Sequence, residues 1–491
     1  MDPRSLSELL EGIPAQTGDA LATMVTGIAY RSDRVRAGDV FFCVSGFAHD
    51  GHDFAADAVS RGASALVTSR ALDAVGVPQA VVADTRAALA VVSARYYGLP
   101  SERLDVVGIT GTNGKTTTTY LVEAIARRAG RSPGLIGTVQ TRYDGSCESS
   151  GRTTPESLDL QALLARMVDA GVDTVAMEVS SHAIDLHRVD GVRFAVAAFA
   201  NLSQDHLDYH HTLEEYFNTK VRLFTDMHPR LRVINVDDWH GRRLAGMVGA
   251  DWTVGCAPEA TVRGVDVRLT SVSASFRLVT PAGEADVVLP LAGEFNVANA
   301  LLAAGCGLAL GIAPGTIAEG LTGVQQIPGR LEHIDEGQSF SVLVDYAHSP
   351  DGLEKAIAAV RQVTEGRVIT VFGCGGDRDP SKRAPMGEAA GRLSDAVVIT
   401  SDNPRSEEPG AVIAQVETGV DRTAAAKRVE PDRRSAIALA LSEAGPGDAV
   451  LIAGKGHEDY QIFADRTVHF DDREVAHEEL RRLGWGSDAA C

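Results

Sequence analysis

A chain of 491 residues, 44% of them hydrophobic, is too long for one ordinary domain and apolar enough to bury several cores, so three domains are expected. Its formal charge of −20 gives no global positive field to attract phosphate polymers, which argues against a life on nucleic acid or an anionic membrane; any anionic substrate must be held by local devices. The six cysteines (Cys43, Cys147, Cys256, Cys306, Cys374, Cys491) form no C-x-x-C pair, the opening MDPRSLSELLEGIPAQ has no signal-like apolar stretch, and no run of about 18 apolar residues occurs, so a cytoplasmic chain without membrane insertion is expected.

Along the chain, short Val- and Ile-rich runs end in Gly, Asp, Ser or Asn and are followed by Ala-rich helical pattern, the mark of a parallel α/β fold. DVFFCVSG (39–46), ASALVTS (63–69) and QAVVAD (79–84) read as strands of a small N-terminal α/β domain, residues 1–98, closed by a linker at YYGLPSERL. A central domain, residues 99–330, opens with DVVGITGTNGKTTT and continues through the strands TVAMEVSS, FAVAAFANL and RVINVDD to IPGRLE. Within it, residues 252–292 alternate apolar and polar positions, which predicts antiparallel strands on or beside the main sheet. The last block, residues 331–491, repeats one pattern four times: SFSVLVDYAHSP, GRVITVFGCGGDRD, DAVVITSDNPRSEEP and GDAVLIAGKGHEDY each run from an apolar strand into a polar loop. In an open, Rossmann-like parallel sheet those four loops share the edge where ligands bind.

The strand VVGIT, followed by Gly111, Thr112, Asn113, Gly114, Lys115, Thr116 and Thr117 and then a helical pattern, is a phosphate cradle. Glycines let backbone N–H groups approach an anion, the helix start adds partial positive charge, Lys115 reaches terminal phosphates and the Thr116 hydroxyl can ligate Mg²⁺. The generic phosphate-loop pattern is not met strictly, because its first glycine falls on Ile109. Glu178 ends an apolar strand, where a carboxylate could hold Mg²⁺ or simply be solvated. In NLSQDHLDYH, the residue types alone leave Asp205, His206, Asp208, His210 and His211 open as candidates.

The loop Gly111 to Thr117 resembles the G-T-N-G-K-[ST] loop of Mur ligases and folylpolyglutamate synthetases. Co-linear segments extend the resemblance over nearly the whole chain: AMEVSSHAIDLHRV, NLSQDHLDYHHTLEEYFNTKVRLF, GEFNVANALLAA, IPGRLE, VDYAHSP, GCGGDRD, SDNPR and GKGHEDY. The resemblance to Mur ligases implies an ATP-dependent ligase in which domain 1–98 binds a UDP-linked precursor, 99–330 binds ATP, and 331–491 binds the incoming amino acid. A substrate carboxylate would take the γ-phosphoryl group to give an acyl phosphate, which an amine then attacks.

For its residues the resemblance implies Mg²⁺ at Thr116, Glu178, His206 and a carbamate formed on Lys220, with Lys115 on the phosphates. Asn296 and Arg330 would contact ATP, although Asn296 could equally cap its helix. Ser32, Thr153, Thr154, Ser180 and Arg188 would contact the UDP precursor, where loop hydroxyls could instead cap local backbone. Leu186 stands where relatives have glutamine, which puts one peptide contact in doubt. Asp402, Asn403, Pro404 and Arg405 match the D-N-P-R signature of diaminopimelate addition, with Arg378, Gly454 and Glu458 as further contacts. A guanidinium at Arg405 can grip the second carboxylate that distinguishes diaminopimelate from lysine. The alternative for D-N-P-R is an ordinary Asx-Pro turn. The substrates implied are ATP, a UDP-muramoyl dipeptide and diaminopimelate, acted on by a monomer with no nucleic-acid partner. A lysine-adding ligase and a phosphate-loop ATPase without ligase activity are the competing readings.

Overall fold

The computed structural model describes residues 3–17, 21–46, 49–73 and 75–486. The chain divides into two compact units that alternate along the sequence, the first up to residue 110 with 131–197 and 218–232, the second comprising 111–130, 198–217 and everything from 233 onward. Cys491 lies outside the described residues; the other five cysteines are free, and Cys43, Cys306 and Cys374 are buried. No helix among the described residues is long and apolar enough to cross a membrane.

In the first unit, the strands Ala15–Gln16, Gln79–Val82, Ala65–Thr68, Asp39–Phe42 and Gly27–Ala29 lie side by side in that order. All neighbours are parallel except the first pair. Strand alternation sends Val40, Phe42, Ala65 and Val67 to one face, under the helix Thr85–Tyr96, and Phe41, Cys43 and Leu66 to the other. The sequence showed the three inner strands but not Ala15–Gln16 or Gly27–Ala29, which are too short for a period to register. The stretch read as a linker is ordered: Leu99 turns the chain in the left-handed region, and Pro100 then starts a single tight turn, Pro100–Arg103. Also in this unit, the strands Ser146–Ser149, Gln140–Tyr143, Pro133–Ile136, Thr174–Glu178 and Asp105–Thr110 lie side by side in that order, the last three parallel.

The second unit carries the alternating stretch. Val262–Leu269, Ala274–Thr280 and Gly283–Leu289 pair antiparallel as expected. Trp252–Gly255 departs from that expectation and pairs parallel with 233–235, because the helix Trp239–Val248 between them provides a crossover rather than a hairpin.

The C-terminal sheet, also in the second unit, has the order Glu332–His333, Ser341–Asp345, Ala449–Ala453, Val368–Phe372, Ala396–Ile399, Ala426–Val429. Five strands are parallel, and Glu332–His333 joins antiparallel. Leu343, Phe372, Val397, Ile399 and Leu451 face a core with the helices Pro350–Gln362, Arg383–Leu393 and Pro409–Val420. Val342, Val344, Ile369, Val371, Val450 and Ile452 face the opposite core, with Arg433–Glu443 and Asp472–Arg482. Both faces are covered, which is why these strands read as unbroken apolar runs. The polar loops after Asp345, Phe372, Ile399 and Ala453 therefore share one edge.

Candidate active site

The chain passes from the first unit to the second between Thr110 and Gly111, and the turn that follows depends on its glycines. Gly114 sits at φ +86°, and a Cβ there would meet Asn299 Oδ1 at 2.2 Å. Asn299 is held by Asn296 Oδ1 (3.1 Å), and Asn296 Nδ2 donates back to the Ala292 carbonyl (2.7 Å). The N-cap of that helix, Glu294–Ala309, is Gly293, so Asn296 is not the cap; both asparagines are buried beneath the loop. The backbone of Asn113 is paired in both directions with the Asn201 carboxamide (2.9 and 3.1 Å). The Asn113 side chain donates to Asp351 (2.8 Å), which also accepts from Ser203 and Lys355.

Lys115 Nζ folds back onto the carbonyls of Gly111 (3.0 Å) and Thr112 (2.9 Å). Thr116 and Thr117 are buried in the first helical turn, and Arg330 donates to the Thr116 hydroxyl at 2.9 Å while its guanidinium lies over the Tyr346 ring. Thr112 is fixed by Ser203 and Tyr216. His206, in the left-handed region, is partly exposed, and its ring stands 3.4 Å from Asp205. Burial works against charge on Asp205, yet His206, His348, Lys382 and Lys115 outweigh it and hold the carboxyl below its usual range. Asp205 is thus the anionic centre of a cationic neighbourhood, a role the residue types alone could not single out.

In the first unit, Glu178 is buried at the end of its strand. Its two oxygens accept from the Thr138 N–H (2.7 Å) and hydroxyl (3.0 Å), and the Thr153 hydroxyl lies 3.0 Å from that of Thr138. Gly137 precedes Thr138 because a Cβ there would stand 2.5 Å from Glu178 Oε1. Thr154 donates to the Glu178 carbonyl (2.8 Å), and Arg188 donates to the Thr154 carbonyl (3.2 Å) and pairs with Glu156 (3.0 Å). Arg188 Nε is buried without a hydrogen-bond partner among the described residues. Thr153, Thr154 and Arg188 therefore meet around the Glu178 loop. Ser180 is taken up as the N-cap of Ser181–Asp185, the local role that its residue type allowed. Ser32 stands apart in the short turn Ser32–Arg34, where it helps hold the Asp57 carboxyl down. Lys220 is fully buried, with the Thr110 hydroxyl 3.5 Å from Nζ. Among the described residues no group of three or more His, Cys, Asp or Glu is placed to hold a metal ion.

At the C-terminal sheet edge, the D-N-P-R loop is a bridge as well as a turn. Arg405, at φ +53°, gives its N–H to the Ile462 carbonyl (3.0 Å) and its Nη1 to the Gly376 carbonyl (2.7 Å). Glycines in GCGGDRD permit this approach: a Cβ on Gly376 would lie 1.9 Å from the Pro404 carbonyl, and one on Gly375 2.9 Å from Arg405 Nη1. Arg383, buried, ties the two loops through Glu407 and the Gly375 carbonyl. Asn403 Nδ2 donates to Glu458 (2.8 Å) and its Oδ1 accepts from the Ile462 N–H (3.0 Å). Asp402 is buried beside Gly454, at φ +113°, where a Cβ would come within 2.8 Å of the Asp402 carboxylate. Arg378 is exposed at the rim. Burial and the charge of Asp402 push the Glu458 carboxyl above its usual range, against the pull of Lys455 and Asn403. One edge thus combines guanidinium groups with two carboxylates, the charge pattern of a zwitterion site.

Three family models match in sequence order: the Mur ligase family catalytic domain over residues 24–97, the Mur ligase middle domain over 109–307 and the Mur ligase glutamate ligase domain over 329–456. A UDP-N-acetylmuramoyl-L-alanyl-D-glutamate–2,6-diaminopimelate ligase of Geobacillus kaustophilus (strain HTA426) is 47% identical over 468 residues, 94% of this chain and 96% of that one. The chain belongs to the Mur ligase family. A solved structure of a ligase with the same name superposes with a TM-score of 0.69 at 30% identity, covering 98% of this chain and 100% of the other. A MurF ligase of Thermotoga maritima in complex with ADP shares the fold at a TM-score of 0.64 and 20% identity, covering 93% of this chain and 96% of that one. Against this family background, sequence reading passed over Asn201, Thr138, Asp351 and Lys455. Asn201, Thr138 and Asp351 act through partners remote in sequence, so no local motif marks them, whereas Lys455 stands inside G-K-G-H-E-D-Y, three residues before its partner Glu458, and its apolar surroundings hid its role.

Proposed function

We propose that the chain is an ATP-dependent ligase that joins diaminopimelate to UDP-N-acetylmuramoyl-L-alanyl-D-glutamate, releasing ADP and phosphate, in the cytoplasmic synthesis of peptidoglycan precursors. The near full-length identity to a ligase of that name carries the reading. Arg405 in the D-N-P-R loop supports the choice of amino acid, because its Nε and Nη2 have no hydrogen-bond partner among the described residues and form one side of a guanidinium fork suited to a carboxylate.

In this reading the backbone N–H groups of residues 111–117 receive the ATP phosphates, and Lys115 leaves the carbonyls of Gly111 and Thr112 to neutralise the terminal one. The precursor carboxylate attacks the γ-phosphorus, the bond to the ADP oxygen breaks, and an acyl phosphate forms. The substrate amine then attacks the acyl carbon, phosphate leaves and a proton is lost from nitrogen. Arg188 and the hydroxyls of Thr153 and Thr154 serve the anionic precursor, with Ser32 and Ser180 as outer contacts, and Asn296 and Arg330 serve ATP. Asp402, Asn403, Pro404, Gly454 and Glu458 shape the amino-acid pocket, with Arg378 and Arg405 for carboxylates. Each unit carries oxygen donors of the kind Mg²⁺ prefers, Thr116 in the second and Glu178 in the first, and such an ion would offset charge on the phosphates. His206 and a carbamate on the buried Lys220 are further proposed donors. We also read the active species as a monomer.

The test is ADP release by the purified protein with ATP, Mg²⁺ and the UDP-muramoyl dipeptide, adding diaminopimelate or lysine separately, with mass analysis of the product. Release and a tripeptide mass with diaminopimelate alone are expected. Turnover with lysine overturns the substrate assignment, and ATP hydrolysis that ignores any amino acid overturns the ligase reading.

A further inference from the structure

Lys455 follows the strand Ala449–Ala453 by two residues and is fully buried. A buried ammonium is costly unless several acceptors surround it. Here Nζ donates to Glu458 Oε2 (3.2 Å), to Asn403 Oδ1 (3.4 Å) and to the Tyr460 carbonyl, and it lies 5.3 Å from the Tyr460 ring centre. Every partner belongs to one of two loops at the sheet edge, D-N-P-R or G-K-G-H-E-D-Y. Asn403 Nδ2 reaches the same Glu458 oxygen at 2.8 Å. Two donors therefore converge on Oε2, whereas Oε1 has no hydrogen-bond partner among the described residues.

This asymmetry has a chemical use. A carboxylate held by one oxygen cannot rotate freely, so its other oxygen faces a fixed direction; a charge-assisted bond to an incoming ammonium then costs little ordering. Resting on the amino-acid ligase reading above, we propose that Lys455 is a positioning residue for the amino-acid substrate: with Asn403 it clamps Oε2 of Glu458 and thereby presents Oε1 to the substrate's ammonium group. The same lysine opposes the burial and the Asp402 charge that push the Glu458 carboxyl up, which helps keep the acceptor anionic. Lys455 itself touches no substrate and acts only through Glu458 and Asn403.

The experiment is steady-state ADP release by wild type, Lys455→Met, Lys455→Arg, Glu458→Gln and the Lys455→Met/Glu458→Gln double variant, with each substrate titrated in turn. Loss of a supporting contact behind a ligand typically costs about 10- to 100-fold. We expect a KM rise of about that size for the amino acid in Lys455→Met, partial recovery in Lys455→Arg, and KM for ATP and for the UDP-muramoyl dipeptide within about two-fold of wild type. The double variant is expected to be no worse than the poorer single variant, since both changes break one unit. Should Lys455→Met fail to bind ADP in a calorimetric check of folding, Lys455→Arg decides alone by the same split in KM. Equal rises in all three KM values, a fall in kcat with the amino-acid KM unchanged, or additive effects in the double variant overturn the inference. A wild type without amino-acid-dependent release overturns the ligase reading and this inference together, and one that uses lysine overturns only the substrate assignment, because the KM split is then read with lysine.

Discussion

Arg405 shows how one side chain can be both mortar and probe. Nη1 is spent on the Gly376 and Asn403 carbonyls, which fixes the plane of the guanidinium, and in the proposed function the Nε/Nη2 side is left for a ligand. Lysine has one nitrogen for both tasks and cannot perform them together. In Arg405→Lys, kcat/KM for diaminopimelate is expected to fall about 10- to 100-fold, the worth of one hydrogen bond to a charged group, while the KM for ATP stays put. Unchanged turnover of diaminopimelate would remove Arg405 from the selectivity argument. At this scale legibility followed sequence proximity. Lys115 and Arg405 stood out because G-K-T and D-N-P-R pack their chemistry into a few consecutive residues. The Asn113 contact to Asp351 spans 238 positions, and the Thr138 contact to Glu178 spans 40, so neither could be seen in a local pattern.

Strand ends do the positioning at the level of elements, and one buried pair secures two of them. Arg433 and Asp472 are wholly buried and joined by two bonds of 2.7 Å, and Arg433 also donates to the carbonyls of Ser401 (3.3 Å) and Ala453 (2.9 Å). Those carbonyls immediately precede Asp402 and Gly454, so the pair sets the floor under both loops proposed to hold the amino acid. Asp472→Asn leaves a buried guanidinium without its counter-charge, and a loss of about 3–5 kcal/mol is expected, seen as an earlier urea unfolding midpoint. A midpoint within experimental error of wild type would mean that the pair is dispensable. Elements with six to eight apolar or strictly alternating residues were readable beforehand, as Asp105–Thr110 and Ala274–Thr280 show. Two- and three-residue strands were not, and the direction of Trp252–Gly255 was misjudged because side-chain alternation carries no information about parallel or antiparallel pairing.

For the molecule as a whole, acid sensitivity has an identifiable contributor. Burial, reinforced by Arg330 and Arg473, pushes the His457 pKa from 6.5 down to about 3. The unfolded chain therefore takes up a proton as pH falls through 6.5, whereas the folded chain resists until near 3. The stability tied to neutral His457 is complete above about pH 6.5 and drains as pH falls from there toward 3. His457→Gln is expected to flatten that part of a plot of urea midpoint against pH; parallel curves for the two proteins would exclude His457 as the source. Composition and strand rhythm made the α/β class legible, yet the interleaving of the two compact units was not, since it depends on contacts between segments far apart in the chain. The order of the C-terminal sheet has a consequence for biosynthesis. Its last parallel strand, Ala449–Ala453, is inserted between the first and the second, so a ribosome must release nearly the entire chain before that gap can close. Until then the nascent sheet offers two unpaired strand edges, Ser341–Asp345 and Val368–Phe372, and lacks the G-K-G-H-E-D-Y loop altogether. A message truncated before codon 449 would thus yield a product prone to aggregation and without its proposed amino-acid pocket, which leaves quality control to clear it rather than a half-working enzyme to linger.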